Sequence, residues 1–463
     1  MGKAIKLGVI GAGSATFSLG LVRDLCLADS LRGSLVTFMD VDRRRLERIL
    51  DLAQRYVAEL GIDLRFEATL EREAALRDAD FVLNTALVGS HTWEEEWRRL
   101  ADQLGFYRGL RIQTHLHQLD LMLSVARDVE RICPNAWLIQ SSNPVFEGCT
   151  IIARETGAKV VGLCHGTYHG LPRLCDAIGV PFEEVEWEAP GVNHWVYLTH
   201  FRHRGRDLYP LLDEWIATKA ADYWRDFRGG FSDTQLSRAA VDHYRRVGLM
   251  PIGDASRCFS EWYYHVDLAT KQRWWGHLGG FDSELGWSRY LARLDARLDQ
   301  IAAVAADRSA RVTDAFPPER TREIQVPIID AIANDHPGIF QVNVRNDGAI
   351  PGIADDVVVE GKALVDAGGI RLLQVPRLPE KLMRMVLWPR IQLAEMHLLA
   401  YTSSDRAVLV QCILDDHRCQ TLEQAERAVE ALLALPWNQD LAVRFGAAPA
   451  PLPEYALKEG VLA

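Results

Sequence analysis

Strand-length apolar runs alternate with helix-period segments across the first 165 residues, and this alternation constrains the fold more than any other feature of the chain. Residues 4–12 are a short apolar run ending in glycines. Residues 15–29 show helical periodicity, and "SLVTFMDVD" at 34–42 reads as a second strand. "RRRLERILDLAQRYVAELG" is an amphipathic helix that Gly61 is placed to stop. "DADFVLNTAL" at 78–87 reads as a third strand. A helix over about 115–132 leads into a fourth, "AWLIQSSNP" at 136–144, and "KVVGLCHG" at 159–166 is a fifth. Such alternation builds a doubly wound parallel sheet, whose ligands sit beyond the carboxyl ends of the strands.

From about residue 195 the pattern changes. Helical segments at 209–225, 236–247 and 287–312 are interleaved with the extended pieces "GIFQVNVRN" (338–346) and "DDVVVEGKALVD" (355–366), and helices follow at 379–402 and 421–434. The reading is α/β: a Rossmann-type domain over 1–194, then an α+β domain over 195–463. A proline- and alanine-rich tail, expected to pack loosely, closes the chain. The formal charge of −11 argues against a general nucleic-acid binder, which needs a basic face. No apolar run approaches membrane-spanning length, and the amino terminus lacks the form of a signal peptide. Eight scattered cysteines fit reduced thiols in a cytoplasm.

The first strand ends in Gly11-Ala12-Gly13, which allows a tight turn and close backbone approach to a pyrophosphate at a helix amino end. The third glycine of the usual motif is replaced by Ser14-Ala15-Thr16. Asp40, at the end of the second strand, is placed to accept adenosine ribose hydroxyls, which favours NAD over NADP. Asn143, in "SSNPVFEG", is a candidate contact for substrate or nicotinamide; the other reading is a turn-forming Asn-Pro. Cys164 in "GLCHG" and His194 in "GVNH" suit a borderline-soft divalent ion whose shell a substrate completes. Taken alone, a buried thiol and a satisfied core histidine are the better reading of the two. "MPIGDASR" adds Asp254, able to abstract a proton beside a carbonyl, and Arg257, able to hold a hydroxyl or carboxylate; a helix cap and a solvated arginine are the alternatives. Tryptophans clustered at 262–287 read as core or subunit interface, or in part as the wall of a sugar site.

Taken in order, "GAGSATFS", "FMDVD", "ADFVLNTALVG", "NPVFEG", "GLCHG", "GVNH", "YPLLDEW", "MPIGDASR", "DDVVVE" and "WPRI" resemble glycoside hydrolase family 4, the NAD- and manganese-dependent glycosidases. The resemblance covers nearly the whole chain and implies the lactate/malate dehydrogenase-like superfamily. It makes GAGS the phosphate turn, with Gly11, Gly13, Ser14, Ala15, Thr16, Phe17, Asp40 and Asn84 toward NAD. It implies Cys164 and His194 as manganese ligands and Asp254 as the base, with a metal-bound hydroxide as rival. It further implies His165 as an aid to the leaving group, and Asn143 and Arg257 as grips on the sugar. The implied activity is glycoside hydrolysis by transient oxidation at carbon 3, proton loss at carbon 2, elimination, addition of water and return of the hydride. The "CHG" and "MPIGD" forms resemble the branch acting on unphosphorylated α-glucosides or α-hexuronides. Phospho-glycosidase relatives carry Asp or Asn where this chain has His165.

Two segments depart from the pattern. After "GFYRG" at 105–109 an Asp-containing loop is missing or replaced, and Arg111, suited to an anionic sugar, lies near its place. At 321–330 the chain reads "TREIQVPIID" where relatives carry a "GEQH"-like segment. These departures keep two other functions open: a 2-hydroxy-acid-type NAD oxidoreductase, and a non-catalytic NAD-binding relative. The expected partners are a small-molecule sugar and further copies of the chain, in a homodimer or homotetramer, with no nucleic acid and no membrane.

Overall fold

Strand-forming residues buried on both faces create the centre of the molecule. Leu7, Val9, Val36, Phe38, Val82 and Leu83 are all fully enclosed, as expected for parallel strands covered by helices on either side. The computed structural model describes residues 2–14, 17–110, 116–227, 235–258 and 262–447. Among these lie β1 (Lys6–Ile10), β2 (Leu35–Met39), β3 (Arg65–Thr69), β4 (Phe81–Asn84), β5 (Trp137–Gln140), β6 (Lys159–Gly162), β7 (Val185–Glu188), β8 (Gly191–Val192), β9 (Trp195–Val196), β10 (His200–His203), β11 (Arg206–Asp207), β12 (Gly338–Arg345), β13 (Val358–Asp366) and β14 (Gly369–Leu372).

The main sheet runs β3-β2-β1-β4-β5-β6-β12-β13-β8-β9, with β14 beside β13. Its first six strands are parallel, a Rossmann-type arrangement with the chain reversal falling between β1 and β4. The helix Arg43–Leu60 starts on Asp42, whose carboxylate accepts from the Arg45 amide at 3.1 Å, and stops at Gly61 in the left-handed conformation, φ 65°. β3, absent from the sequence reading, is the edge strand. Only Phe66 is buried on it, so no apolar run marks it.

Two compact units divide the chain. The larger comprises residues 1–95 and 114–395, the smaller residues 96–113 and 396–463. The sequence reading changes domain at 194/195, but the sheet continues across that point. β12 pairs antiparallel with β6, β13 with β12, and β8 with β13, so the later strands extend the parallel half instead of founding a separate sheet. A second, three-stranded antiparallel sheet, β11-β10-β7, completes the strands of the larger unit. The smaller unit is helical and includes Arg406–Leu414, Leu422–Leu433 and Gln439–Phe445. No helix among the described residues is long and apolar enough to cross a membrane.

Candidate active site

The turn after β1 is built by close approach. Gly11 has φ 86°, and a Cβ there would lie 2.5 Å from the Ala86 Cα. The Gly13 amide donates to an Asp40 oxygen at 2.7 Å, while the Asp42 amide donates to the other at 2.9 Å. Asp40 is therefore fixed beside the glycine turn. The Ser14 hydroxyl accepts from the Phe17 amide at 3.3 Å, just before the helix Ser18–Cys26. Asn84 is fully buried: its amide donates to Gln140 at 3.0 Å and its oxygen accepts from the Ala86 amide at 3.2 Å, so the side chain ties β4 to β5. Ala15, Thr16 and Arg111 lie outside the described residues.

Three segments of the larger unit bring a thiol, an imidazole and a carboxylate together. Cys164 occupies the short loop between β6 and the helix Gly166–Ile178. His194 sits in the two-residue turn of the β8–β9 hairpin, where Gly191 pairs with Val196 and Val192 with Trp195. Its φ is 66°, a conformation that glycine or asparagine adopts far more cheaply. A histidine kept in such a strained position points to function more than to packing. Asp254 arrives because residues 250–252 pair with 196–198, through Leu198 N to Met250 O at 3.0 Å and Ile252 N to Val196 O at 3.1 Å. The approach needs glycine. Gly253 has φ 62°, and a Cβ there would stand 2.3 Å from the Gly166 carbonyl carbon.

The Asp254 Oδ2 atom lies 3.3 Å from His194 Nε2 and 3.9 Å from Cys164 Sγ. One donor atom from each residue falls within 4.8 Å of the others, and the three side chains are half-buried. Sulfur, imidazole nitrogen and carboxylate oxygen at this spacing fit a divalent ion with positions left open. Electrostatics agree. Burial, joined by the charges of Glu360 and Asp254, pushes the Cys164 thiol well above its usual range. Burial holds the His194 imidazole neutral, with Asp254 opposing only in part. Burial would raise the Asp254 carboxyl, but Arg257 first, then His194 and His165, outweigh it and hold the group well below the usual carboxylate range. Arg257 Nε donates to Asp254 Oδ1 at 2.8 Å, its terminal nitrogen lies 3.3 Å from Asp282, and its guanidinium covers the Phe281 ring at 4.6 Å. Arg257 thus anchors Asp254.

A cleft of about 1120 Å³ opens beside this cluster, lined among others by Phe17, His165, His169, Phe281, Tyr290 and Glu323. His165, largely exposed, places Nδ1 3.3 Å from Glu323 Oε1. Gln325 donates to the other Glu323 oxygen at 3.1 Å. From the aromatic cluster, Phe281 and Tyr290 face the cleft, with buried Trp287 packed against both at 5.6 and 5.3 Å. Asn143 is exposed and joined to Pro144 by a cis peptide. Glu323, Asn193, Gln341 and Glu360 escaped the sequence reading as site residues, although "GVNH" and "DDVVVE" contain two of them. Glu360 is buried, and burial raises its carboxyl to about 7 against the opposing hydrogen bonds of Asn193, Gln341 and Asn343.

Fold and cluster together define a Rossmann-type protein with a thiol–imidazole–carboxylate centre at the carboxyl ends of its strands. A profile of the family 4 glycosyl hydrolases matches residues 6–179, one of that family's C-terminal domain matches residues 189–419, and the chain belongs to this family. It is 24% identical over 404 residues to an alpha-galactosidase of Bacillus subtilis, covering 81% of this chain and 85% of that one. It is 24% identical over 468 residues to an alpha-glucosidase of Erwinia rhapontici, covering 91% and 96%. A 6-phospho-alpha-glucosidase from gut microorganisms, solved in complex with NAD and Mn2+, superimposes with a TM-score of 0.77 at 18% identity, over 95% of this chain and 99% of that one.

Proposed function

We propose that the protein is an NAD- and manganese-dependent α-glycosidase acting on unphosphorylated α-glucosides or α-hexuronides. The observation carrying this reading is the convergence of Cys164, His194 and Asp254 on one point beside the cleft. NAD and Mn2+ in the structural relative support it, as does the fixed Asp40 beside the glycine turn. A nicotinamide supplies reversible oxidation at carbon 3 of a sugar, and a divalent ion supplies Lewis-acid polarisation of the carbonyl so made.

The chain's own groups do the rest. Cys164 and His194 would hold the ion, with Asp254 Oδ2 3.3 Å from His194 Nε2. Arg257 keeps Asp254 ionised, and that carboxylate takes the proton from carbon 2. His165, held at Nδ1 by Glu323, delivers a proton to the departing oxygen from Nε2. Gly11, Gly13, Ser14, Ala15, Thr16, Phe17, Asp40 and Asn84 make the dinucleotide cradle. Asn143, Arg257 and Arg111 are assigned to the sugar by the family resemblance, Arg257 acting through Asp254. His165 following the metal cysteine supports an unphosphorylated substrate. The seven cysteines whose side chains the structure describes are free, in keeping with a cytoplasmic protein, and the family resemblance supports a homodimer or homotetramer.

Nitrophenyl α-glucoside and α-glucuronide test this directly. Cleavage of one or both is expected, requiring NAD+, Mn2+ and reductant, with no net NADH and with deuterium at carbon 2 of the product formed in D2O. Failure to cleave either glycoside, or a build-up of NADH with a hydroxy acid, would sink the reading.

A further inference from the structure

The register of the main sheet ties the two ligand-bearing loops together. Gly162 on β6 pairs with Asn343 on β12, Asn343 with Glu360 on β13, and Glu360 with Gly191 on β8. This single row crosses the sheet. Cys164 lies two residues beyond one end of it and His194 three residues beyond the other. The row spans three strand spacings, about 14 Å. The two loops must therefore lean inward to meet, and something must hold them there.

Glu360 lies within that row, next to Gly191, and is almost completely enclosed. Its Oε2 accepts from the Asn193 amide at 3.0 Å, and its Oε1 accepts from the Gln341 amide at 3.4 Å. Gln341 is itself fixed by donating to the Ala189 carbonyl at 2.7 Å. Asn193 precedes His194 in the hairpin turn. The Asn193 side chain thus bears on the His194 turn, and Glu360 secures that side chain. Both Glu360 oxygens act as acceptors, a demand that a carboxylate meets and a primary amide of equal size does not.

We infer that Glu360 is a positioning residue for the metal centre: through Asn193 it holds the strained His194 turn in ligating geometry, and it places a buried negative charge behind the cation. This rests on the proposed metal site. A glutamine at 360 would set an NH2 against either the Asn193 or the Gln341 amide, pushing the turn away, and would remove the charge. Partners of this kind, one step removed from the ion, typically alter metal affinity 10- to 100-fold.

The test is Mn2+ binding to the full chain, measured by electron paramagnetic resonance for the wild type and for Glu360→Gln, Glu360→Asp and Asn193→Ala. NAD+ affinity and thermal unfolding are followed in parallel. Expected are a 10- to 100-fold weaker Mn2+ affinity in Glu360→Gln and Asn193→Ala, unchanged NAD+ affinity, and partial recovery in Glu360→Asp, which keeps the charge. The Co2+-loaded protein gives a second readout: its thiolate-to-cobalt absorption should weaken or shift in the same two variants. If Glu360→Gln does not fold, Asn193→Ala decides alone. Wild-type Mn2+ affinity with an unaltered cobalt spectrum in these variants overturns the positioning role while leaving the metal site standing. A wild-type chain that binds NAD+ but no Mn2+ overturns both.

Discussion

At the residue scale, Glu360 makes its environment measurable without substrate. Its carboxyl sits at about 7 in the folded protein against an ordinary 4.5, because burial disfavours the charged form. A group raised in this way favours folding while it is neutral. The benefit is complete below about pH 4.5 and is lost as pH rises through about 7. Glutamine does not ionise, and the remaining titrating groups are common to both proteins. Metal-free wild type is therefore expected to lose about 2.5 kcal/mol relative to Glu360→Gln between pH 5 and pH 8. Denaturant titrations at the two pH values check this, and a constant difference would refute it. The same residue shows where sequence reading reaches its limit. Cys164, His194 and Asp254 were legible because thiol, imidazole and carboxylate stand in short glycine-containing turns, at strand ends or before a helix. Glu360 was quoted within "DDVVVE", but an acid inside an apolar strand announces nothing until the register sets it opposite Asn343 and Gly191. Gly253 was likewise silent, since its need for glycine comes from Gly166, far away in sequence.

At the scale of elements, two quoted motifs are joined by one buried ion pair. Glu147, from "NPVFEG", opens the helix Val145–Glu155, and Arg390, from "WPRI", lies in the helix Trp388–Ser403. The Arg390 guanidinium donates to Glu147 at 2.6 Å and covers the rings of Phe146 and Trp195 at 4.9 and 4.6 Å. Both ends are nearly inaccessible, at 5% and 1% side-chain exposure, so removing the arginine strands a charge in a low-dielectric interior. Arg390→Ala should cost about 3–5 kcal/mol, and replacing both residues by methionine should recover much of it. Chemical denaturation of the three proteins checks the order; equal loss in the single and double variants would refute it. The parallel strands β1, β2, β4, β5 and β6 were legible from their unbroken apolar runs. The antiparallel extension was not. β12 and β13 were visible as extended pieces, but their place beside β6 follows from pairing between residues some 180 positions apart.

At the scale of the whole molecule, the chain returns to itself in a way that no linear boundary captures. Residues 96–113 belong with 396–463, so a short early segment completes a unit built mainly from the carboxyl-terminal helices. Arg418 fastens the two pieces of that unit. Its guanidinium donates to the Tyr107 carbonyl at 2.9 Å and the Gly109 carbonyl at 2.7 Å. It is held in turn by the buried Asp416 carboxylate at 2.7 Å, and it covers the Phe106 ring at 5.8 Å. Gln424 adds a bond to the Leu104 carbonyl at 3.0 Å. These contacts fix residues 104–109, immediately before the point where the chain departs from the family pattern and where the sequence alone indicated a missing or replaced loop. Arg418→Ala removes both carbonyl bonds and leaves Asp416 without its guanidinium, a change worth about 3 kcal/mol locally. The Phe106 and Gly109 amides, which donate to the Ala101 and Phe106 carbonyls at 2.9 and 3.2 Å, should then exchange hydrogen faster while amides of β1 and β4 keep their protection. Unchanged exchange at 106 and 109 would show that Arg418 does not carry the junction, and that the early segment is held by the Gln424 bond and the packing of Phe106 and Leu110.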